Sequence, residues 1–230
     1  MDLIELITCG EMVIEGRMPW SSNATFLVTI TQGDESTRGV YKPTRGERPL
    51  WDFPAGLHKR EVAAYVVSEF LGWGIVPITV LRDGPAGEGS VQHFVDADFE
   101  QHYFTMYEQH PELHDQLRRM AAFDVVVNNT DRKGGHCLLG HDGRVYGIDN
   151  GLCFATDPKL RTVIWEFGGE TLDEATVADL RRLADSPPAS LRVLLSSDEV
   201  DMVVRRAERL IERGTFPIDA SGRAYPWPLV

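Results

Sequence analysis

Two short polar segments constrain this chain more than any other feature of its 230 residues. The first covers residues 129–136, contains Asp131 and follows an apolar run with the pattern of a buried helix end. The second covers residues 149–151, begins with Asp149 and follows an apolar run with the pattern of a strand. Because packed elements fix the segments that follow them, we expect both aspartates to be held rigidly at an edge of the core.

The two aspartates indicate a chemistry. Phosphoryl transfer from ATP needs one carboxylate that orients the acceptor hydroxyl and another that binds a divalent ion. We therefore predict Asp131 as the catalytic residue and Asp149 as a ligand of Mg²⁺ or Mn²⁺, since a carboxylate is a hard oxygen ligand. Alone, Asp149 is also compatible with an ordinary turn, because Asp-Asn-Gly is a common hairpin signal. The occurrence of both segments in tandem favours the catalytic interpretation.

Composition excludes several other classes of function. The formal net charge is −12 and the sequence has no run of Lys and Arg, which argues against nucleic acid as a partner and against docking on an anionic membrane. No run approaches the roughly 20 apolar residues of a membrane span, and the first residues are acidic where a signal peptide would be basic, so we expect a cytoplasmic protein. The three cysteines form no CxxC pair, which indicates neither a disulfide framework nor a zinc site.

The chain divides by pattern into two parts. Residues 1–95 are predicted to be rich in strands with one helix, and residues 96–230 to be mainly helical with one embedded hairpin, which gives an α+β protein of two lobes. In this division the first lobe binds the nucleotide phosphates, and the second carries the catalytic loop, the metal site and a helical tail. The predicted strands are 12–17, 25–30, 38–42, 78–81 and 90–95, the helix is 58–71, and the hairpin is 137–146.

One lysine stands out in the first lobe. Only four of the 23 basic residues are lysines, and Lys42 ends the third predicted strand. A compact ammonium there can neutralise the phosphates of ATP if a carboxylate holds it, and Glu61 on the following helix has a suitable position. The alternative is a surface lysine and an exposed glutamate, a common and weak combination.

Two further segments are candidates for nucleotide contacts. The turn Ser21-Ser22-Asn23 can donate backbone N–H groups and hydroxyls to phosphates, although these residue types also fill ordinary hairpin turns. The last predicted strand of the first lobe ends at Phe94 and Val95, where a segment joining two lobes can offer backbone groups to the adenine edge. Their side chains are expected to pack rather than to bind.

Several segments, taken in order, resemble the phosphatidylinositol 3- and 4-kinase superfamily, and most closely the type II phosphatidylinositol 4-kinases. The resemblance implies an abridged bilobal protein-kinase-like fold, with Lys42 on the phosphates, Glu61 as its partner, Asp131 orienting the acceptor and Asp149 on the metal. The segments are Ser21-Ser22-Asn23, Tyr41-Lys42-Pro43, Glu61-Val62-Ala63-Ala64-Tyr65, 75–79, 89–95, 129–132 and 148–154.

The chain departs from the family in three places. His136 stands where the family has a metal-binding asparagine, so we predict it as a second metal ligand that favours Mn²⁺. The alternatives are that His136 binds no metal, donates to phosphate, or only packs the loop. The cysteine-rich segment that anchors the eukaryotic lipid kinases is absent, and residues 156–161 are short for a substrate-selecting loop. No stable membrane anchor is therefore expected, and the acceptor does not follow from the resemblance.

The leading hypothesis is an ATP-dependent kinase with Mg²⁺ or Mn²⁺ as its metal and an unidentified hydroxyl acceptor, which is a lipid head group, a protein or a small molecule. One alternative is an abridged protein Ser/Thr kinase. The other is a pseudokinase that binds nucleotide without turnover, to which His136 is the only pointer. The joint presence of Lys42, Glu61, Asp131 and Asp149 argues against the pseudokinase.

Overall fold

The computed structural model describes residues 2–19 and 23–230. The first part of the chain is rich in strands with two helices, and the second part is mostly helical, which is the segregation typical of an α+β protein. The helices are α1 (Leu3–Cys9), α2 (Leu57–Leu71), α3 (Tyr103–Gln109), α4 (His114–Val127), α5 (Glu174–Asp185), α6 (Leu191–Leu194) and α7 (Ser197–Arg213). The strands are β1 (Glu11–Arg17), β2 (Phe26–Gln32), β3 (Glu35–Pro43), β4 (Thr79–Gly84), β5 (Gly87–His93), β6 (Ala97–Asp98), β7 (Cys137–Gly140) and β8 (Val145–Gly147).

An antiparallel sheet forms the first part, with the strand order β1-β2-β3-β5-β4. Alternate side chains of its strands are buried, which is the period-2 pattern of a sheet with one covered face. Tyr41 and Val91, on neighbouring strands, are fully buried on that face. Helix α1 covers it with Leu6 and Ile7. The sequence analysis located all five strands but missed this helix.

The second part is a helical core to which a small sheet is attached. Helix α7 packs against both α4 and α5, and all three contribute to a continuous apolar cluster. Strands β6, β7 and β8 form an antiparallel sheet, and its β7–β8 hairpin is the predicted one. The prediction that the lobes divide at residue 95 remains a prediction. In the described part of the chain, no helix is both long and apolar enough to span a membrane.

Helix α2 belongs to both parts. It follows the sheet strand β3 in sequence, yet Ala63, Ala64, Val67 and Leu71 lie in the apolar cluster of the helical part. Arg60, which is 3% exposed, donates to the backbone oxygen of Cys153 at 2.9 Å and pairs with Glu199 at the start of α7. The helix is therefore fixed on the helical part and presents its remaining face to the sheet.

A distant glutamate caps the start of α2. The residue before the helix is Gly56, which has no side chain to accept from the first N–H groups. Glu47 replaces such a cap, since its carboxylate accepts from the N–H of Gly56 at 2.9 Å and of His58 at 2.8 Å. Its Oε1 also lies 2.7 Å from Nδ1 of His58. Burial alone would raise the pKa of Glu47, but these hydrogen bonds outweigh it and lower the pKa to about 2.

Glu47→Gln is expected to lower the free energy of unfolding at neutral pH by about 1–2 kcal/mol, the usual cost of a lost helix cap. Because the folded pKa lies below the ordinary 4.5, the contribution of Glu47 is present above about pH 4.5 and is lost as the pH falls toward 2. Urea unfolding between pH 3 and 7 measures both effects, with the exposed Glu100→Gln as the control. If the free energy of unfolding of Glu47→Gln fell with decreasing pH as steeply as that of the wild type, the capping role would be contradicted.

Candidate active site

Lys42 lies at the centre of the candidate site. It sits near the end of β3, opposite Ser90 of β5, and its side chain points away from the face that buries Tyr41. Its Nζ contacts Oε1 of Glu61 and lies 2.8 Å from Oδ1 of Asp149. Burial alone would lower the pKa of Lys42, but the two carboxylates outweigh it and raise the pKa. The ammonium is therefore charged.

Glu61 connects this lysine to the turn that carries Asp149. Its side chain is 4% exposed, so the interpretation of an exposed helix glutamate is wrong. One carboxylate oxygen contacts Lys42 and the other accepts from the backbone N–H of Asn150 at 2.9 Å. A side chain on Gly151 would come within 3.3 Å of the Glu61 carboxylate, which explains a glycine at this place. The Glu61 carboxylate therefore connects strand β3, helix α2 and the turn that carries Asp149.

Asp149 lies two residues after the end of β8 and has a left-handed backbone, with φ of 58°. This conformation is costly for a residue other than glycine, and such residues cluster at functional sites. The Lys42 ammonium lowers the pKa of Asp149, so the carboxylate is ionised. Half of its side chain is exposed, and Oδ2 faces Nε2 of His136 at 3.5 Å.

His136 ends a short 3-10 turn of the catalytic loop, residues 134–136. Burial lowers its pKa to about 4, so the imidazole is neutral near pH 7. A neutral ring has a lone pair for a metal ion, which protonation would remove. His136 and Asp149 thus present one nitrogen and one oxygen donor to the same space.

Asp131 lies on the segment that joins α4 to β7. Its backbone N–H donates to Oδ1 of Asn129 at 2.9 Å, which stabilises the bend of the loop. Its carboxylate lies 3.0 Å from Nζ of Lys133 and is about one quarter exposed. Burial raises the pKa of Asp131, and the Lys133 cation opposes this shift. A partly exposed carboxylate can orient a hydroxyl group and accept its proton. The neighbouring lysine cation can stabilise the negative charge that develops there.

A buried arginine holds the catalytic loop in place. Arg132 has no exposed surface and donates to both carboxylate oxygens of Asp124 in α4, at 3.0–3.1 Å. It also donates to the backbone oxygen of Ile148 and the side-chain oxygen of Asn150, both at 2.8 Å. One guanidinium therefore ties together the helix before the loop, the loop itself and the turn that carries the metal-binding candidate.

A cavity of about 280 Å³ opens beside Lys42, between the five-stranded sheet and the helical part. Apart from Lys42, His136 and Asp149, its walls are mostly apolar, which suits a flat organic ring. The wall residues include Met18, Pro19, Thr25, Val40, Gln92, His93, Phe94, Val95, Phe99, Leu138 and Ile148.

The predicted nucleotide-binding residues have different outcomes. Phe94 and Val95 line the cavity, and their role in nucleotide binding stays a prediction. Within residues 2–19 and 23–230, the backbone of Val95 makes no hydrogen bond, so its polar groups are available to a ligand. Asn23 does not line the cavity, and its side chain accepts from the N–H of Arg48 at 3.0 Å. Ser21 and Ser22 lie outside the described residues.

The sequence analysis gave no role to several residues that build the site. Asp124 lies inside an apolar run, and an acid in such a run is a signal of a buried ion pair that was available but unused. Its partner Arg132 could not be identified without the tertiary structure. Asn150 and Lys133 are adjacent to predicted residues, but their contacts with Arg132 and Asp131 were not foreseen.

The side chains of Asp149 and His136 suit a divalent ion that is also coordinated by a bound ligand. Mg²⁺ is usually held by one or two protein groups together with phosphate oxygens and water. Asp149 and His136 supply two such groups. Among the residues that the structure describes, no three His, Cys, Asp or Glu side chains are grouped to hold a metal by themselves. A metal held by Asp149 and His136 would take its other ligands from water or from a bound molecule.

Comparisons with solved structures identify the fold. The structure of hydra Fam20 with sugar superposes with a TM-score of 0.56 at 15% identity and covers 91% of this chain and 87% of that one. The proinflammatory kinase CtkA of Helicobacter pylori aligns more weakly, with a TM-score of 0.47 at 13% identity, over 91% of this chain and 94% of that one. The predicted α+β, protein-kinase-like fold is confirmed.

Sequence comparison places the chain in a family. No protein-family model matches it. Protein Rv2133c of Mycobacterium tuberculosis is 41% identical over 256 aligned positions, which cover 95% of this chain and 92% of the relative. At this identity and coverage the two share one fold and one ancestry. The chain belongs to the family of protein Rv2133c.

Proposed function

We propose that this chain is an ATP-dependent kinase that transfers the γ-phosphate of ATP to a hydroxyl group. The observation that carries the proposal is the contact of Lys42 with both Glu61 and Asp149 at the mouth of an apolar cavity. The kinase-like fold supports it, because phosphotransferases of that fold use a lysine, its glutamate partner and a metal-binding aspartate.

Each part of ATP has a candidate place in this proposal. The adenine enters the cavity, where Val40 and Ile148 supply apolar walls and the backbone of Val95 supplies hydrogen bonds. Lys42 neutralises the phosphates, and a Mg²⁺ or Mn²⁺ ion is held by Asp149 and His136. Ser21 and Ser22 remain predicted phosphate contacts. Pro19 and Thr25, on either side of them in sequence, line the same cavity.

Asp131 acts on the acceptor in this proposal. Its carboxylate accepts the proton of the attacking hydroxyl, and Lys133 stabilises the charge near it. Arg132 does not touch the reactants and has a positioning role, because it ties the Asp131 loop to the turn of Asp149. These contacts support a fixed distance between the Asp131 loop and the Asp149 turn.

The acceptor class remains the open part of the proposal. The ordered segments around Lys42, Glu61, Asp131 and Asp149 support a relationship to the phosphatidylinositol 3- and 4-kinases, and with it a lipid head group as a candidate acceptor. A protein hydroxyl is the second candidate, because the net charge of −12 does not favour an anionic membrane surface. Incubation with radiolabelled ATP and either phosphatidylinositol vesicles or a protein lysate distinguishes the two.

Nucleotide binding is the first test. With ATP and Mg²⁺ or Mn²⁺ at about 100 times the dissociation constant, binding adds roughly 2.7 kcal/mol of stability, which corresponds to an increase in Tm of roughly 5–10 °C for a chain of this size. Lys42→Met is expected to lose this increase, because the phosphates lose their counter-charge. Lys59→Met, on α2 and outside the cavity, is the matched control and is expected to keep it.

The outcomes of the melts separate the alternatives. No increase in Tm with any nucleotide in either metal would reject the proposal. An increase without label transfer to lipid, to protein or to the chain itself would favour the pseudokinase. A larger increase with Mn²⁺ than with Mg²⁺ would support His136 as a metal ligand, since a nitrogen donor suits the softer ion.

A further inference from the structure

A second cavity, of about 470 Å³, lies on the helical part and shares no residue with the cleft beside Lys42. One wall is a face of helix α7. The others are the end of α4, where Asn128 caps the helix directly before the catalytic loop, and the side chains of Thr156, Pro158 and Leu160. These residues follow the turn that carries Asp149. The cavity is therefore lined by the residue that directly precedes the catalytic loop and by residues that follow the Asp149 turn in sequence.

The charge of this cavity is opposite to that of the protein. Arg206, Arg209 and Arg213 line it from α7, where spacings of three and four residues put side chains on one face of a helix. No aspartate or glutamate is among the wall residues, although the chain has a net charge of −12. Arg209 and Arg213 are exposed, and neither has an ion pair or hydrogen-bond partner for its side chain in the described part of the chain.

Arg206 supplies a second and independent observation. It is 9% exposed, and its guanidinium donates to the backbone oxygens of Val126 at 2.8 Å and Ala155 at 3.0 Å. Its third nitrogen, Nη2, is buried and has no partner among the described residues. Burial, together with the nearby Arg209 cation, lowers the pKa of Arg206 to about 10. A buried donor without an acceptor is rare in folded proteins and calls for a ligand or an ordered water.

We propose that this cavity is a binding site for a phosphate-type oxyanion. The guanidinium groups of Arg209 and Arg213 offer the planar donors that bind phosphate through paired hydrogen bonds, and Arg206 adds the unpartnered N–H groups of its Nη2. The phosphate belongs to a diffusible ligand or to Thr156, a threonine in the wall of the same cavity that is exposed to solvent and can be modified. The anion neutralises the arginines and bridges α7 to residues 156–160. The inference does not depend on kinase activity.

Phosphate binding to the full chain, measured by calorimetry at constant ionic strength after phosphatase treatment, tests the site. Arg209→Gln and Arg213→Gln are each expected to weaken binding of inorganic phosphate about tenfold, the effect of one charge-assisted hydrogen bond. Arg205→Gln removes the same charge from the same helix outside the cavity, and it is expected to bind as the wild type does. All three arginines are exposed, so the variants are expected to fold.

Three results would overturn the proposal. The first is that phosphate binds the wild type no better than chloride at equal ionic strength. The second is that the Arg209 and Arg213 variants bind phosphate as tightly as the wild type, which would place the anion elsewhere, including at Lys42. The third is that Arg205→Gln loses as much affinity as they do, which would indicate a general charge effect.

The source of the phosphate is settled by the mass of the intact chain before phosphatase treatment. Phosphorylated Thr156, with inorganic phosphate binding only after the treatment, supports the site and assigns the anion to the chain itself. An unmodified chain that binds phosphate directly, and a Thr156→Val variant that binds equally well, support the site and assign it to a diffusible ligand.

Discussion

Asp131→Asn is expected to lower the rate of phosphate transfer about 10²- to 10⁴-fold, the range that a positioned general base contributes. ATP binding is expected to stay close to that of the wild type, because Asp131 touches neither Lys42 nor the walls of the cavity. The amide keeps the shape of the side chain but cannot accept a proton, so the loss is one of chemistry rather than of fold.

Single-turnover transfer and ATP-dependent melts measure the two effects separately. Asp185→Asn, at the exposed end of α5, removes the same charge from an acidic protein and is the control. The pH dependence is a further readout. Burial raises the pKa of Asp131. As the pH is lowered, wild-type activity is therefore expected to begin to fall at a higher pH than an ordinary aspartate would give. Transfer by the asparagine variant at the wild-type rate would remove Asp131 from the mechanism.

Arg132→Met is expected to lower the free energy of unfolding by about 3–5 kcal/mol, because it leaves the Asp124 carboxylate buried without its cation. Both side chains have no exposed surface. Among the described residues, Asn129 and Thr162 are then the remaining side-chain donors to the Asp124 carboxylate. Urea unfolding measures this loss, which is a large part of the stability of a typical domain.

The double variant Arg132→Met with Asp124→Leu is the control for that prediction. Replacement of a whole buried ion pair by apolar residues is often neutral, so the double variant is expected to regain much of the lost stability. It is not expected to regain activity, because the loop and the Asp149 turn lose the contacts that Arg132 makes with Ile148 and Asn150. A single variant that loses less than about 1 kcal/mol would show that the pair is not a structural tie.

The local sequence pattern was sufficient to predict the helices and strands that carry the candidate site residues. The five strands of the large sheet, helix α2 and the β7–β8 hairpin were predicted because each has a clear period and a turn at its end. The placement of Lys42 near Glu61 was also predicted, since a strand and the next helix in a familiar order imply it. The seven-residue helix α1 was missed because so short a helix is stabilised by the sheet beneath it and not by its own sequence.

Contacts between distant parts of the chain could not be predicted. Glu47 caps a helix that begins ten residues later, and Arg132 pairs with an aspartate in the preceding helix. Leu229 accepts from the N–H of Gly134 at 2.6 Å, so the last residues of the chain lie on the catalytic loop. Such pairs depend on how elements pack in three dimensions, and no local pattern specifies them.

The position of α2 has a consequence for control of the proposed enzyme. Protein kinases are switched when the helix that bears the glutamate partner of the lysine moves away from it. Here such a movement would separate Arg60 from Cys153 and Glu199 and would pull apolar residues of α2 out of the helical core. For the proposed kinase, we therefore expect that α2 does not leave Lys42 by a movement of its own while the helical part stays folded. Control through an inactive orientation of this helix alone is not expected.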